Sequence, residues 1–461
     1  MPPRPGDTVE LEVSTLAYGG HGVARLDDFV VFVRGAVPGD RVLARVTKRK
    51  RAHAEARTLE ILSPSPQRVA PRCRHAHECG GCEWQSLAYG TQLQYKQQQV
   101  VDSLQRIAHL GDYRLEPILG MGDPWRYRNK MEFSFGTGDH GRLELGLHKR
   151  GSWSEIVDIA DCLLASGRMN RARLAVAAAC RDLGLQPYSR RDGGGLLRHL
   201  VVREGRASGD LLLNLFVSAR FAEEAELARR VTAEAGCSSF ALTVNETPAD
   251  AAVGDGPHAL TGPTHLRESI AGVDLRVPAA AFLQTNSAVC ETLYATALRF
   301  ASPDPTRPSV DLYCGIGSLS LPLARRSREV HAVEIQEEAI AAARVNADLN
   351  RVDNASFYAG DVRPLLRFPP HPVLDAGRTD GGDRPAVVVA DPPRAGLARK
   401  ALQRAAALGA DRFVYVSCNP TTLAGDAAGL AELDYRLTAV APVDMFPHTH
   451  HVETVALFER G

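Results

Sequence analysis

A chain of 461 residues exceeds one ordinary hydrophobic core, so two or three domains are expected. Hydrophobic residues (44%) and charged residues (23%) are in the proportions of a soluble globular protein, and no apolar run approaches the roughly 20 residues needed to span a bilayer. Lys+Arg and Asp+Glu balance at 54 each, which excludes a chain coated in positive charge but leaves room for a local basic patch.

Met1 to Asp7 lacks the apolar stretch of a signal peptide. The expected setting is the cytoplasm, without a membrane, where the nine cysteines are reduced and serve metal or catalytic roles. Residues 1–62 read as a small β-barrel: Val9 to Val13 alternates apolar and polar, Gly19-Gly20-His21-Gly22 is a turn, and Phe29 to Val33 and Arg41 to Val46 are further strands. Arg41, Arg45, Lys48, Arg49, Lys50, Arg51 and Arg57 face only Glu55, and beside a small barrel such a run suits an RNA-contacting edge.

Ser63-Pro64-Ser65-Pro66 is a linker into a central part, residues 63–275. Cys73-x5-Cys79-x2-Cys82 brings three thiols within ten residues, and Cys162 is the best-placed fourth. Spacing alone is met equally by tetrahedral zinc and by an iron–sulfur cluster. Leu87 to Leu110 is helix-compatible; Lys130 to Phe135, Arg198 to Val202 and Leu211 to Val217 read as strands, and Ala222 to Ala235 as a helix.

Residues 276–461 alternate strand and helix, the pattern of a doubly wound, mostly parallel α/β sheet. Ser309 to Tyr313 runs into Cys314-Gly315-Ile316-Gly317, where glycines allow close approach of a ligand. Glu334 ends the next strand, placed to bind two ribose hydroxyls. Ser320 stands where a dinucleotide site would carry a third glycine, so an adenosyl ligand without pyrophosphate fits better. Asp391-Pro392-Pro393-Arg394 follows the apolar strand Ala386 to Ala390, and Asp361 follows a strand at Ser356 to Tyr358. Residues 371–384, rich in Gly and Asp, read as a surface insertion.

Ser417-Cys418-Asn419-Pro420 places a thiol between a strand and a helix start, where a lowered pKa is expected. Glu453 interrupts a terminal strand, Val452 to Phe458. By itself it reads as a solvent-facing strand carboxylate.

These motifs together resemble the bacterial RNA 5-methyluridine methyltransferases, in particular the branch acting on 23S ribosomal RNA. The resemblance covers nearly the whole chain. It implies an OB-like TRAM barrel at the N-terminus, a central α+β iron–sulfur domain and a C-terminal Rossmann-like methyltransferase domain. It implies that Cys73, Cys79, Cys82 and Cys162 hold a [4Fe–4S] cluster. Phe282-Leu283-Gln284-Thr285-Asn286 matches the family's Phe-x-Gln-x-Asn motif, so Gln284 is expected to bind S-adenosylmethionine with Tyr313, Gly315, Ser318, Glu334, Asp361 and Asp391. Ser318 and Asp361 depart from the family pattern, which often has Asn there. Cys418 is the implied nucleophile toward carbon 6 of a uracil, making carbon 5 nucleophilic. Glu453 is the implied base for the carbon 5 proton. The resemblance favours ribosomal over transfer RNA as partner, for an enzyme expected to act as a monomer. A competing reading of the same features is an iron–sulfur oxidoreductase with a nucleotide domain.

Overall fold

The computed structural model describes residues 2–138, 141–248, 251–367 and 384–461. The expected insertion at 371–384 lies, apart from Arg384, outside the described residues. No helix among the described residues is long and apolar enough to cross a membrane.

Five strands close the N-terminal barrel: β1 (Thr8–Leu16), β2 (Gly22–Leu26), β3 (Phe29–Arg34), β4 (Arg41–Arg49) and β5 (His53–Ser63). The period-2 alternation of β4 sends Val42, Ala44 and Val46 into the barrel core, while Arg41, Arg45, Lys48 and Arg49 stand on the solvent side. The basic edge is therefore an exposed surface, with Arg41 near Glu10 and Lys50 near Glu55.

Helix α1 (Tyr89–Arg106) and the short β6 (Arg114–Leu115) follow. A seven-stranded sheet then forms from β7 (Lys130–Thr137), β8 (Leu143–His148), β9 (Ile156–Val157), β10 (Leu197–Glu204), β11 (Leu211–Val217), β12 (Ser239–Val244) and β13 (His258–Thr261). Helices α2 (Gly167–Asp182) and α3 (Glu224–Ala235) pack on it and fill its apolar core. The hairpin β14 (His265–Ile270) and β15 (Val273–Pro278) leads into α4 (Ser287–Ala301).

The C-terminal sheet takes β16 (Pro308–Leu312), β17 (Glu329–Glu334), β18 (Ala355–Ala359), β19 (Val387–Ala390), β20 (Arg412–Ser417), β21 (Tyr435–Val443) and β22 (Glu453–Arg460), in the order β18-β17-β16-β19-β20-β22-β21-β6. Its helices are α5 (Ser320–Ala324), α6 (Glu337–Leu349), α7 (Val362–Arg367), α8 (Arg399–Ala407) and α9 (Pro420–Ala431). Within this sheet β22 runs against its neighbours β20 and β21. One apolar core holds α4 and α6 with one sheet face, and another holds α1, α8 and α9 with the other. Covered on both sides, β19 is apolar at every position.

One expectation is corrected. The sequence assigns residues 89–115 to the central part, yet Val100 and Leu104 of α1 bury in the C-terminal core and β6 extends the C-terminal sheet beside β21. The amphipathic face of a helix does not say which sheet it covers.

Candidate active site

Parallel pairing aligns the ends of neighbouring strands. Leu312 lies opposite both Val333 and Ala390, so Tyr313 after β16, Glu334 at the end of β17 and Asp391 after β19 emerge together at one edge. Such an edge is where open α/β sheets bind ligands. Gly315 turns at φ 54°, and a side chain there would meet open space, so a ligand can approach the backbone closely. Its amide donates to Glu334 Oε2 at 3.2 Å, and the Gln336 amide donates to Oε1 at 3.0 Å. Ser318 is buried and shares a 2.8 Å hydrogen bond with the Tyr294 hydroxyl.

Gln284 is gripped from the central sheet. Asn129, just before β7, donates its side-chain amide to the Gln284 carbonyl at 2.9 Å and its backbone amide to the Thr285 carbonyl at 2.8 Å. Asn286 then caps α4, accepting from the Val289 amide at 3.3 Å. The Gln284 side chain bonds Asp391, pulling that carboxyl down, but burial outweighs it and pushes Asp391 up to about 7. Asp361 sits near the same edge, but its carboxylate is engaged by Arg363 through the Nε at 3.0 Å and the backbone amide at 2.7 Å. Arg363 also holds its pKa below the usual value.

The β20–β22 register pairs Ser417 with Thr454, and one further step sets Cys418 opposite Glu453. Asn419 caps α9 with Pro420 in its first turn. The expected lowering of the thiol pKa is corrected here. Burial, then Glu453 and Asp391, push Cys418 up to about 12, with Arg394 pulling it down. The desolvation and two carboxyls exceed what a helix start contributes. Glu453 is corrected as a bare strand residue as well: it is 2% exposed, its Oε2 has no partner among the described residues, and burial raises its pKa well above the carboxylate norm.

Further side chains stand beside these groups. Phe282 and Ile335 are 65% and 61% exposed beside Gln284 and Glu334, leaving apolar surface for a flat ring. Arg394 reaches Tyr18 of the barrel at 3.4 Å and His451 Nδ1 at 3.5 Å, so the N-terminal unit touches the rim of the site. Phe282 opens the Phe-x-Gln-x-Asn motif, whereas Ile335 lies in no motif and sequence reasoning missed it.

Cys73, Cys79, Cys82 and Cys162 line one cavity of about 140 Å³. All four are free thiols, and three are buried. Gly81 donates its amide to Cys79 Sγ at 3.3 Å, the kind of contact a thiolate ligand takes. Burial and the neighbouring thiols raise Cys82 to about 12. Among the described residues, no group of three or more His, Cys, Asp or Glu side chains is placed to hold a metal ion. Neither the zinc nor the iron–sulfur alternative is therefore shown by the arrangement of these thiols.

Residues 269–361 and 383–461 match the family described as tRNA (Uracil-5-)-methyltransferase, and residues 3–59 match the TRAM domain. An uncharacterized RNA methyltransferase of Halalkalibacterium halodurans is 35% identical over 460 residues, covering 99% of this chain and 98% of its own. Another from Thermosynechococcus vestitus is 37% identical over 459 residues, covering 98% of each. Among solved structures, the Pyrococcus abyssi tRNA (uracil-54, C5)-methyltransferase in complex with S-adenosyl-L-homocysteine is similar at TM-score 0.78 and 26% identity, over 97% of this chain and 99% of that one. The chain belongs to the tRNA/rRNA uracil-5-methyltransferase family and carries an N-terminal TRAM domain.

Proposed function

We propose that the chain methylates carbon 5 of a uridine in ribosomal RNA, with Cys418 as nucleophile and Glu453 as base. The observation that carries this reading is that β20 and β22 pair up to Ser417 and Thr454, which brings Cys418, just past β20, beside the buried Glu453 that opens β22. Cys418 adds to carbon 6 of the flipped uracil, so that carbon 5 gains electron density. S-adenosylmethionine supplies the methyl group, held by Gln284, Tyr313, Gly315, Ser318, Glu334 and Asp391. Asp361 joins them once its carboxylate is released from Arg363. Glu453 then takes the proton from carbon 5, and Cys418 leaves carbon 6 as the pyrimidine is restored. Cys418 adds as the thiolate after losing its proton to solvent, and Glu453 accepts the carbon 5 proton as the carboxylate, so each group ionises before its step.

The cysteine-lined cavity fits a [4Fe–4S] cluster held by Cys73, Cys79, Cys82 and Cys162, which would tie residues 73–82 to residue 162. In this reading residues 1–62 bind RNA phosphates through the basic edge, residues 63–275 carry the cluster, and residues 276–461 carry the chemistry, in a monomer. The four-cysteine set favours ribosomal RNA. Transfer RNA is the second reading, favoured by the overall likeness to the Pyrococcus abyssi enzyme.

The test is incubation with S-adenosylmethionine and RNA carrying 5-fluorouridine, whose carbon 5 substituent cannot leave as a proton. A stable covalent adduct is expected, absent in Cys418→Ala. An adduct that survives that substitution rejects the assignment. Ribosomal and transfer RNA transcripts run in parallel decide between the two substrates.

A further inference from the structure

Glu453 opens β22, and the nine residues joining it to β21, 444–452, form no helix or strand of their own. A segment without internal ladders takes its path from what grips it. Most of the grip comes from far away in the chain. Lys96 of α1 donates to Asp444 Oδ1 at 2.6 Å and to the Phe446 carbonyl at 2.9 Å, and both charged side chains are 0% exposed. Tyr89, nearer the start of the same helix, donates to Asp444 Oδ2 at 2.9 Å and accepts the Met121 amide. Gln92 accepts the His448 amide at 2.9 Å.

The cysteine segment joins the same collar. The amides of Glu83 and Trp84, directly after Cys82, both donate to the His448 carbonyl at 3.0 Å. Trp125 stacks on the His448 ring at 3.9 Å, and Tyr127 donates to the Pro447 carbonyl at 3.1 Å. His448 itself lies at φ 67°, in the left-handed region that few residues other than glycine occupy.

We propose that Lys96 is a positioning residue for the base: through Asp444 it sets the path of residues 444–452 and thereby the place of the Glu453 carboxylate. The Lys96 ammonium bonds Asp444 and the Phe446 carbonyl and lies 5.9 Å over the Trp84 ring, and apolar packing would fill its place at less desolvation cost. What the ion pair adds is a fixed register between helix and loop. This role rests on the reading in which Cys418 adds to the uracil and Glu453 takes the carbon 5 proton.

Adduct formation and adduct release separate the two. Formation on 5-fluorouridine RNA does not need Glu453, whereas release from ordinary RNA does. Full-length Lys96→Met is expected to form the fluorinated adduct at the parental rate. On ordinary RNA with S-adenosylmethionine, its turnover is expected to fall about a hundredfold, the cost of a misplacement of about 1 Å, and covalent protein–RNA species accumulate. Tyr89→Phe, which spares the ion pair, should shift the same partition in the same direction but less. Formation and release falling together, or an unchanged partition in Tyr89→Phe where Lys96→Met does not fold, would overturn the role. A parent enzyme that forms no fluorinated adduct would remove the nucleophile reading, and this role with it.

Discussion

Glu453→Gln keeps the shape of the side chain and removes the base. Glu453 is buried opposite Cys418 with one oxygen free of any partner among the described residues. A positioned base contributes about 10²–10⁴-fold to a proton transfer, or about 2.7–5.5 kcal/mol, so release of the methylated adduct should slow by that factor. Formation should not slow, because the base acts only after Cys418 has added to carbon 6 and carbon 5 has been methylated. Rapid quench with ordinary RNA, followed by denaturing gels, reads both rates. Release at the parental rate, or formation slowed as much as release, would refute the reasoning. The same variant carries a stability signature. The folded pKa of Glu453 lies above its unfolded value, so its stabilising share is full below about pH 4.3 and is lost as pH rises through the folded pKa. Glutamine does not titrate, so as pH rises above about 4.3 toward the folded pKa of Glu453 the variant's Tm should fall less than the parent's.

Arg45→Ala with Lys48→Ala should weaken RNA binding and lower the slope of log affinity against log salt by about 0.7–0.9 for each phosphate these side chains neutralise. Filter binding across a salt series reads that slope, and cofactor affinity should be unchanged. Both side chains are exposed, so barrel stability should hold. On the proposed [4Fe–4S] reading, Cys162→Ser loses iron content and visible absorbance relative to the parent; a parent without iron, or full iron stoichiometry in that variant, would reject the four-cysteine ligand set.

Much of the candidate site was legible because its residues sit at the ends of strands that the sequence announces. Glu334, Asp391 and Cys418 each follow an apolar run, and a parallel sheet brings such ends to one edge. The cysteine spacing likewise led to residues that line one cavity. Asp361 shows the limit of this inference. It follows a strand as expected, but Arg363, two residues on, takes its carboxylate, and a strand-end rule carries no information about a neighbour's rotamer.

Local pattern determined the barrel, the alternating strands and helices, and the motif loops, since periodicity and turn chemistry act over a few residues. The tertiary structure decided the electrostatics. Cys418 has the helix start that favours a thiolate, yet burial, and after it the carboxyls of Glu453 on the antiparallel β22 and of Asp391, reverses the sign of the shift. It also decided where α1 belongs, and so paired Lys96 with Asp444 across 348 residues of chain. Burial and charge depend on which distant segments meet, and no window of sequence contains that meeting.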